Sequence, residues 1–585
     1  SLLALAMLAY VGHYLVYCIV QPFFIEDAGI SFAYARHLVE GEGLVPVRGG
    51  ERVEGYSNAL WTFVVAFFYG FGVPTWTSSK ILGAVFGALT LPPIYQLTRR
   101  ALPQLRSRET VSILPPFMLA ASPQFVIWNA SGLENSLFCM LLGLGLYRLV
   151  VESEDGGRPW SALWFLLLTM TRPEGLMYAA IALFARVVFA IADRRVGPVV
   201  SWVLLFGVGW VAYNAWRYWY FSWPFPNTYY AKLGSGNRFK PFRWTLGGWK
   251  YVINYMVTHG MVYGLPLLLA ALVGLRRWRK WVWFTACLVL AGLILWDGRE
   301  GLKPIPSWWR PWQKYWVEAR VWTILACSIG AGLLTLGRAG WRSRAVTWAT
   351  CASSIFFAIY VGGDWMKGHR WFNIVVITLF PLTALGLGVV LDAIPITTRK
   401  IRLPWIRRFL PVRPVLVLAP LAAFVTVAAT QSAAFAANPE TSVRDVNRRV
   451  NYMKWVQNRL DVDFVTLMDV DMGAHMFYSG WDIVDMAGLI DVPIARHRDY
   501  DKRFMKEYIF EERNPEFAHV HAGWARTTKI PQHKEWKERY IEVPGYPSGN
   551  KKLHVGNHVR RDLFITDDKA VPRDKIVQFD GGVRL

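Results

Sequence analysis

Long apolar blocks constrain this chain more than any other feature of its sequence. They cover residues 2–20, 81–97, 111–128, 137–151, 175–192, 199–220, 251–275, 281–296, 321–336, 345–361, 371–391 and 415–436, with a shorter run at 160–171. A helix needs about 20 such residues to cross the hydrocarbon core of a bilayer. Apolar residues in a soluble core instead recur at helical or strand spacing between polar ones. The blocks therefore predict a polytopic α-helical membrane protein of about 11–13 spans. The first block is long and followed by further spans, so it reads as a span, not a signal peptide.

The formal net charge of +23 invites a nucleic-acid reading, because basic patches neutralise phosphates. The placement of the charge excludes it. The excess lies in short clusters between apolar blocks, at 99–108, 194–195, 276–280, 338–344 and 399–413, which is the pattern of cytoplasmic loops under the positive-inside rule. All five cysteines, Cys18, Cys139, Cys287, Cys327 and Cys351, fall inside apolar blocks. A disulfide framework or thiolate zinc site is not indicated. No phosphate-loop motif supports an ATP-driven pump.

Placing every basic cluster on the cytoplasmic side gives a consistent alternation of spans if residues 58–71 do not cross. That segment is short and aromatic, ends in Gly70, Gly72 and Pro74, and suits a helix lying in the interface. The outer face then receives residues 21–79, 131–136, 171–174, 221–250, 297–320 and 362–370, together with everything after Asn438. Two domains are expected: a membrane domain over 1–437, with its first outer loop at 21–79, and a soluble α/β domain over 438–585, outside the cytoplasm. In the latter, Val446, Val450, Met453, Val456 and Leu460 predict an amphipathic helix over 443–460. Residues 464–468, 483–485, 517–520, 540–543 and 563–566 read as strands, with a helix between the first two.

Several polar clusters on the outer face are candidates for chemistry. Glu26 and Asp27 follow the first span, where ionisable groups are costly without a role or partner. Adjacent carboxylates repel, which raises one pKa and suits a general base; the plainer reading is Asp27 capping the next helix. Glu54, Tyr56 and Asn58 form a second cluster, equally readable as a turn with Asn58 as cap. Glu134 stands at a span end, and Arg172 with Glu174 interrupts an apolar run. Asn227, Tyr230 and Lys232, then Asp364, Lys367, His369 and Arg370, bring cations suited to a lipid phosphate, although such residues also serve as interfacial anchors. Asp469, Asp471, Asp482, Asp485 and Asp491 gather at strand ends. His519 and His521 alternate on a strand and offer a metal two ligands, with no third evident from sequence.

The run from Glu26 through Asp27, Ala28, Gly29 and Tyr34 to Arg36, followed by Glu54, Gly55, Tyr56, Ser57 and Asn58, resembles the first outer loop of GT-C glycosyltransferases. Within these, it is similar to the terminal β-arabinofuranosyltransferases. The resemblance continues in order through Glu134, Arg172 with Glu174, Asn227 to Lys232, and Asp364 to Arg370, and reaches Asp485 to Asp491. It departs from the usual Asp-Asp pair at Glu26 and from a frequent Arg at Ala33. The resemblance implies a GT-C fold in a bacterial cytoplasmic membrane. It also implies transfer of arabinofuranose or another pentose or hexose from a polyprenyl-phosphate donor to an extracytoplasmic glycan, lipid-linked or protein acceptor. Asp27, with Glu26, is then the general base of an inverting displacement. Arg370, His369, Lys367 or Lys232 meets the departing phosphate, and Arg36, Glu54, Tyr56, Asn58, Glu134, Arg172, Glu174, Asn227, Tyr230 and Asp364 line the donor and acceptor sites. A divalent metal is compatible with this logic but not required by it. A transporter or flippase would place charges at midspan and show paired repeats; a scaffold for surface polymers would need no base.

Overall fold

The computed structural model describes residues 2–233, 244–273, 339–393, 400–402, 409–543, 556–566 and 569–570, with isolated positions between 281 and 330. The chain is a multi-pass helical membrane protein with a small sheet near its C-terminal end. Among the described residues, seven helices are long and apolar enough to cross a bilayer: Leu2–Val20, Thr75–Ala101, Asn135–Glu154, Gly175–Asp193, Gly197–Phe221, Phe372–Ala393 and Leu416–Ala437. Two bent pairs, Arg108–Ala121 with Pro123–Asn129 and Leu246–Thr258 with Met261–Leu272, raise the number to nine if each is one span. Most of the expected spans at 281–296 and 321–336 lies outside the described residues.

The bends have local causes. Ser122 precedes Pro123 and is extended, with ψ at 117°, because the proline ring disfavours helical geometry in the residue before it. The pair breaks there by 54°. The other pair turns by 84° at Gly260, whose φ of 67° is left-handed and costs glycine little.

The chain divides into two compact units. One comprises Ser1–Phe23, Lys80–Trp210 and Lys240–Glu440, the other Phe24–Ser79, Val211–Phe239 and Thr441–Leu585. Contact thus groups the first outer loop and part of the 221–250 loop with the C-terminal residues, whereas composition draws the line at 437/438. In the first unit, the Phe372–Ala393 helix is buried along most of its length. Asn373 satisfies its amide there by donating to Gln124 O, Phe125 O and Asn129 Oδ1, as a buried polar group must.

The second unit contains a five-stranded sheet with β1 (Thr466–Asp469), β2 (Asp482–Asp485), β3 (Phe517–Val520), β4 (Tyr540–Glu542) and β5 (Gly556–Arg560). The strands are ordered β2-β1-β3-β5-β4. β1 is parallel to β2 and β3, whereas β5 is antiparallel to β3 and β4. The Val443–Leu460 helix opens on a capping box between Ser442 and Asp445. It packs Tyr452, Met453, Val456 and Leu460 with Leu467, Phe517 and Val559. Alternate residues Met468, Val484, Ala518 and Val520 join a separate core with Tyr508, Ile509 and Phe510, which follows from the two-residue period of strands. The strand expected at 563–566 is mostly displaced: β5 runs over Gly556–Arg560, and a tight helical turn over Arg561–Phe564 leaves only Ile565 and Thr566 extended. The Ala59–Gly70 helix has 12 residues, so it rises about 18 Å, short of the about 30 Å hydrocarbon core.

Candidate functional site

In the second unit, Phe24–Glu26 runs antiparallel to Thr441–Val443: Ile25 bridges Ser442, Glu26 N donates to Thr441 O and Val443 N to Phe24 O. This fixes Glu26 beside the Met472–Tyr478 helix, where its Oε1 accepts from Ala474 N at 2.9 Å. Gly473 permits the approach, since a Cβ there would lie 2.1 Å from Glu26 O. Gly29 is equally constrained, its would-be Cβ lying 2.4 Å from the Gly473 carbonyl. Glu26 is buried and Asp27 half-buried. Burial, reinforced by Asp471 and Asp27, pushes the Glu26 carboxyl well above the usual carboxylate range. Asp27 begins the Ala28–Val39 helix, but its side chain makes no capping hydrogen bond. The pair thus consists of a buried acid that ties the loop to a helix and a neighbour nearer solvent.

Around Glu26 lies a network of charged groups. Buried Arg449 donates to Asp469 at 2.6 Å and Asp471 at 3.1 Å. His475 Nε2 lies 3.0 Å from Asp469 Oδ2, and His521 Nε2 lies 3.1 Å from Asp471 Oδ2. Burial alone would raise Asp469, but Arg449 with His519 and His475 holds it below the usual carboxylate range. For Asp471, burial is likewise overcome, by the His521 hydrogen bond and Arg449. His521 answers in kind: burial opposes its charge, yet Asp471 raises its pKa. Burial and Arg449 push His519 down to about 3, and His475 is lowered chiefly by burial. Asp469, His519 and His521 each present a ligand atom within 4.8 Å of the others, so the third ligand not evident from sequence is Asp469.

Other expected site residues of this unit hold the backbone in place. Glu54 forms a buried fork with Arg217, from Nε at 2.9 Å and Nη2 at 2.5 Å. Asn227 Nδ2 donates to Gly488 O and Leu489 O, and its N–H to Glu54 O. Asn58 exchanges hydrogen bonds with Ser31 and makes no side-chain cap to the helix it precedes. Tyr56 is buried with its ring edge-on to Tyr34 at 4.7 Å. Tyr230 lies under the Arg496 guanidinium at 3.4 Å. Lys232 is in the last turn of the Asn227–Leu233 helix. Arg36 donates to Phe477 O at 2.6 Å and lines a cleft of about 190 Å³ with Arg48, Tyr478 and Trp481; neither Glu26 nor Asp27 lines it. Asp485 accepts from the N–H groups of Ala487, Leu489 and Ile490. Asp491 caps a helix through Ile494 N and accepts from Tyr508. Burial pushes these two carboxyls up to about 7 and about 6.

The first unit gathers a different set. Arg172 is clamped between Glu134 at 2.6 Å and Glu174, and Arg370 pairs with Asp364 at 2.7 Å. Both guanidiniums face the Trp371 ring, at 5.2 and 5.9 Å. Lys367 Nζ donates to Asn438 and Pro439, and His369 Nε2 meets Asn254 at 3.0 Å. Burial lowers the His369 pKa to about 4, leaving a neutral ring that can donate a hydrogen bond but supplies no charge.

Comparison with known proteins adds sequence evidence of relationship. A family profile described as Domain of unknown function (DUF8728) matches residues 440–561. The chain is 28% identical over 263 residues to the terminal beta-(1->2)-arabinofuranosyltransferase of Mycobacterium tuberculosis, covering 43% of this chain and 40% of that one. The chain therefore spans less than half the length of this relative. Among solved structures, it is similar to the archaeal oligosaccharyltransferase AglB from Archaeoglobus fulgidus in complex with an inhibitory peptide and a dolichol-phosphate. There the TM-score is 0.47 and the identity 12%, over 88% of this chain and 68% of that chain. It is also similar to ArnT from Cupriavidus metallidurans bound to undecaprenyl phosphate, with TM-score 0.40 and 12% identity over 90% of this chain and 93% of that chain.

Arg449 and His475 did not stand out in the sequence. Arg449 carried a signal: it lies three residues after Val446 and four before Met453, on the apolar stripe of its helix, where an arginine needs a buried partner.

Proposed function

We propose that this protein is a membrane glycosyltransferase that takes a pentose or hexose from a polyprenyl-phosphate donor and passes it to a glycan outside the cytoplasm. The observation that carries the reading is the Glu26–Asp27 pair, two adjacent carboxylates in unlike environments. Such a division of environments separates the roles of paired acids. The sequence relative named as an arabinofuranosyltransferase supports arabinofuranose as the first donor to test.

In this mechanism Asp27 accepts the proton of an acceptor hydroxyl as its oxygen attacks the anomeric carbon. The bond from that carbon to the phosphate oxygen breaks, and polyprenyl phosphate leaves from the opposite face with the bonding electrons, inverting the anomeric configuration. A positioned base of this kind contributes about 10²–10⁴-fold. Glu26, its carboxyl raised by burial, holds the loop against the Met472–Tyr478 helix so that Asp27 keeps its position. The protein belongs, on this reading, in a bacterial cytoplasmic membrane, with the basic clusters inside and the acidic pair and Thr441–Leu585 outside.

The test is transfer by the purified protein in proteoliposomes, supplied with polyprenyl-phospho-arabinofuranose and an arabinan oligosaccharide. The expected products are free polyprenyl phosphate and an acceptor heavier by one pentose. Absence of donor cleavage with both this donor and polyprenyl-phospho-hexoses would refute the proposal.

A further inference from the structure

Two parallel strands of the second unit bring three metal-ligating side chains to one place. In the register, Leu467 lies beside Phe517 and Met468 beside Ala518, so the next step sets Asp469 beside His519 and two further residues bring Asp471 level with His521. β1 is flanked by β2 on one side and β3 on the other, and the chain visits β2 before crossing to β3. The carboxyl ends of β1 and β3 therefore form a topological switch point, the position where open α/β sheets place ligands.

We propose that Asp469, His519 and His521 bind a divalent transition-metal ion, with zinc the best match to the donor set. Their ligand atoms lie within 4.8 Å of one another. Three ligands at about 2.0–2.2 Å from a tetrahedral ion stand roughly 3.5 Å apart, a contraction that side-chain rotation supplies. Asp469 is buried and the two histidines half-buried, which anchors one ligand and leaves the others reachable from solvent.

The surroundings fit an ion as well. His519 Nδ1 is 2.8 Å from Asn557 Oδ1; donating its proton there leaves the other ring nitrogen a lone pair. His521 Nε2 faces Asp471 in the same way at 3.1 Å. Asp469 Oδ1 accepts from Val470 N and Asp471 N. Outer partners of this type orient metal ligands and fix imidazole tautomers. Two imidazoles and one carboxylate suit zinc and its first-row neighbours better than calcium or magnesium, which prefer all-oxygen sets. Three protein ligands leave at least one position for water or a hydroxyl-bearing ligand.

The experiment is metal analysis of the full-length protein in detergent, stripped with chelator, reloaded with zinc and passed over a desalting column. The expected result is about one equivalent of zinc per chain, lost in His519→Ala/His521→Ala and kept in His497→Ala, a histidine outside the cluster. Equal zinc in the double variant and the unaltered protein would overturn the proposal. Cobalt loaded into the unaltered protein gives a reading that needs no variant to fold. A four- or five-coordinate nitrogen–oxygen d–d spectrum, bleached by zinc, supports the site, and a six-coordinate aquo-like spectrum overturns it. Neither measurement uses a sugar donor, so failure here leaves the transferase proposal standing, and failure there leaves the metal site standing.

Discussion

Each unit holds a buried cluster of charge around arginine, and the two clusters are built differently. In the first, Arg172 with Glu134 and Glu174, and Arg370 with Asp364, form tight ion pairs sharing the Trp371 ring. A guanidinium does not lose its proton in a protein, so these clusters are fixed. In the second, Arg449 is surrounded by Asp469, Asp471, His475 and His521, with buried Glu26 nearby. Imidazoles can take up a proton or a metal ion, and the Glu26 carboxyl is raised above the usual carboxylate range. The contrast teaches that charge pairing alone does not mark a reactive site; the presence of groups that can change protonation or take a metal does.

Removing the centre of the fixed cluster should have the largest effect on stability. Arg172→Ala leaves two buried glutamates without their cation, and loss of one partner of a buried pair costs about 3–5 kcal/mol. Thermal unfolding should report this loss, and a midpoint unchanged in the variant would remove the Arg172 cluster from the account.

A smaller effect is expected where backbones touch. Gly473→Ala places a methyl against Glu26 O, and overpacking of this kind costs about 1–3 kcal/mol. Hydrogen exchange should rise in peptides covering residues 24–29 and 472–478, and an unchanged pattern would show the contact to be dispensable.

The gentlest test is pH itself. The folded-state pKa of Asp491 is raised to about 6, so the folded unit holds that proton more tightly than the unfolded chain does. Its contribution is complete below the ordinary carboxylate value and is lost as pH rises through about 4 to 6; Asp485 extends the same trend to about 7. Asp469 and Asp471 are lowered, so their contribution is present at neutral pH and lost in acid. Unfolding of this unit should therefore become easier between pH 5 and 7, and Asp491→Asn should flatten that slope. A slope unchanged in the variant would remove Asp491 from the account.

Much of this was legible in the sequence because local spacing determines it. The apolar blocks announce the spans, and the stripe from Val446 to Leu460 announces the Val443–Leu460 helix at its observed bounds. The strand expected at 517–520 matches β3. What sequence could not supply was pairing at a distance. Glu54 meets Arg217 across 163 residues, and His521 meets Asp471 across 50. The alternation of Leu467, Asp469 and Asp471, matched by Phe517, His519 and His521, becomes a cluster only once β1 and β3 are known to be parallel and adjacent. Likewise, Asp27 and Asn58 looked like caps because they precede helices, yet neither makes a side-chain cap.

The central claim is the division of labour between Glu26 and Asp27, and paired substitution in the transfer assay tests it most directly. Asp27→Asn should lower kcat by about 10²–10⁴-fold. Glu26→Gln, which replaces a buried acid by an amide of the same shape still able to accept from Ala474 N, should stay within about tenfold of the unaltered protein, since one hydrogen bond is worth about 1 kcal/mol. An active Asp27→Asn beside an inactive Glu26→Gln would contradict the account.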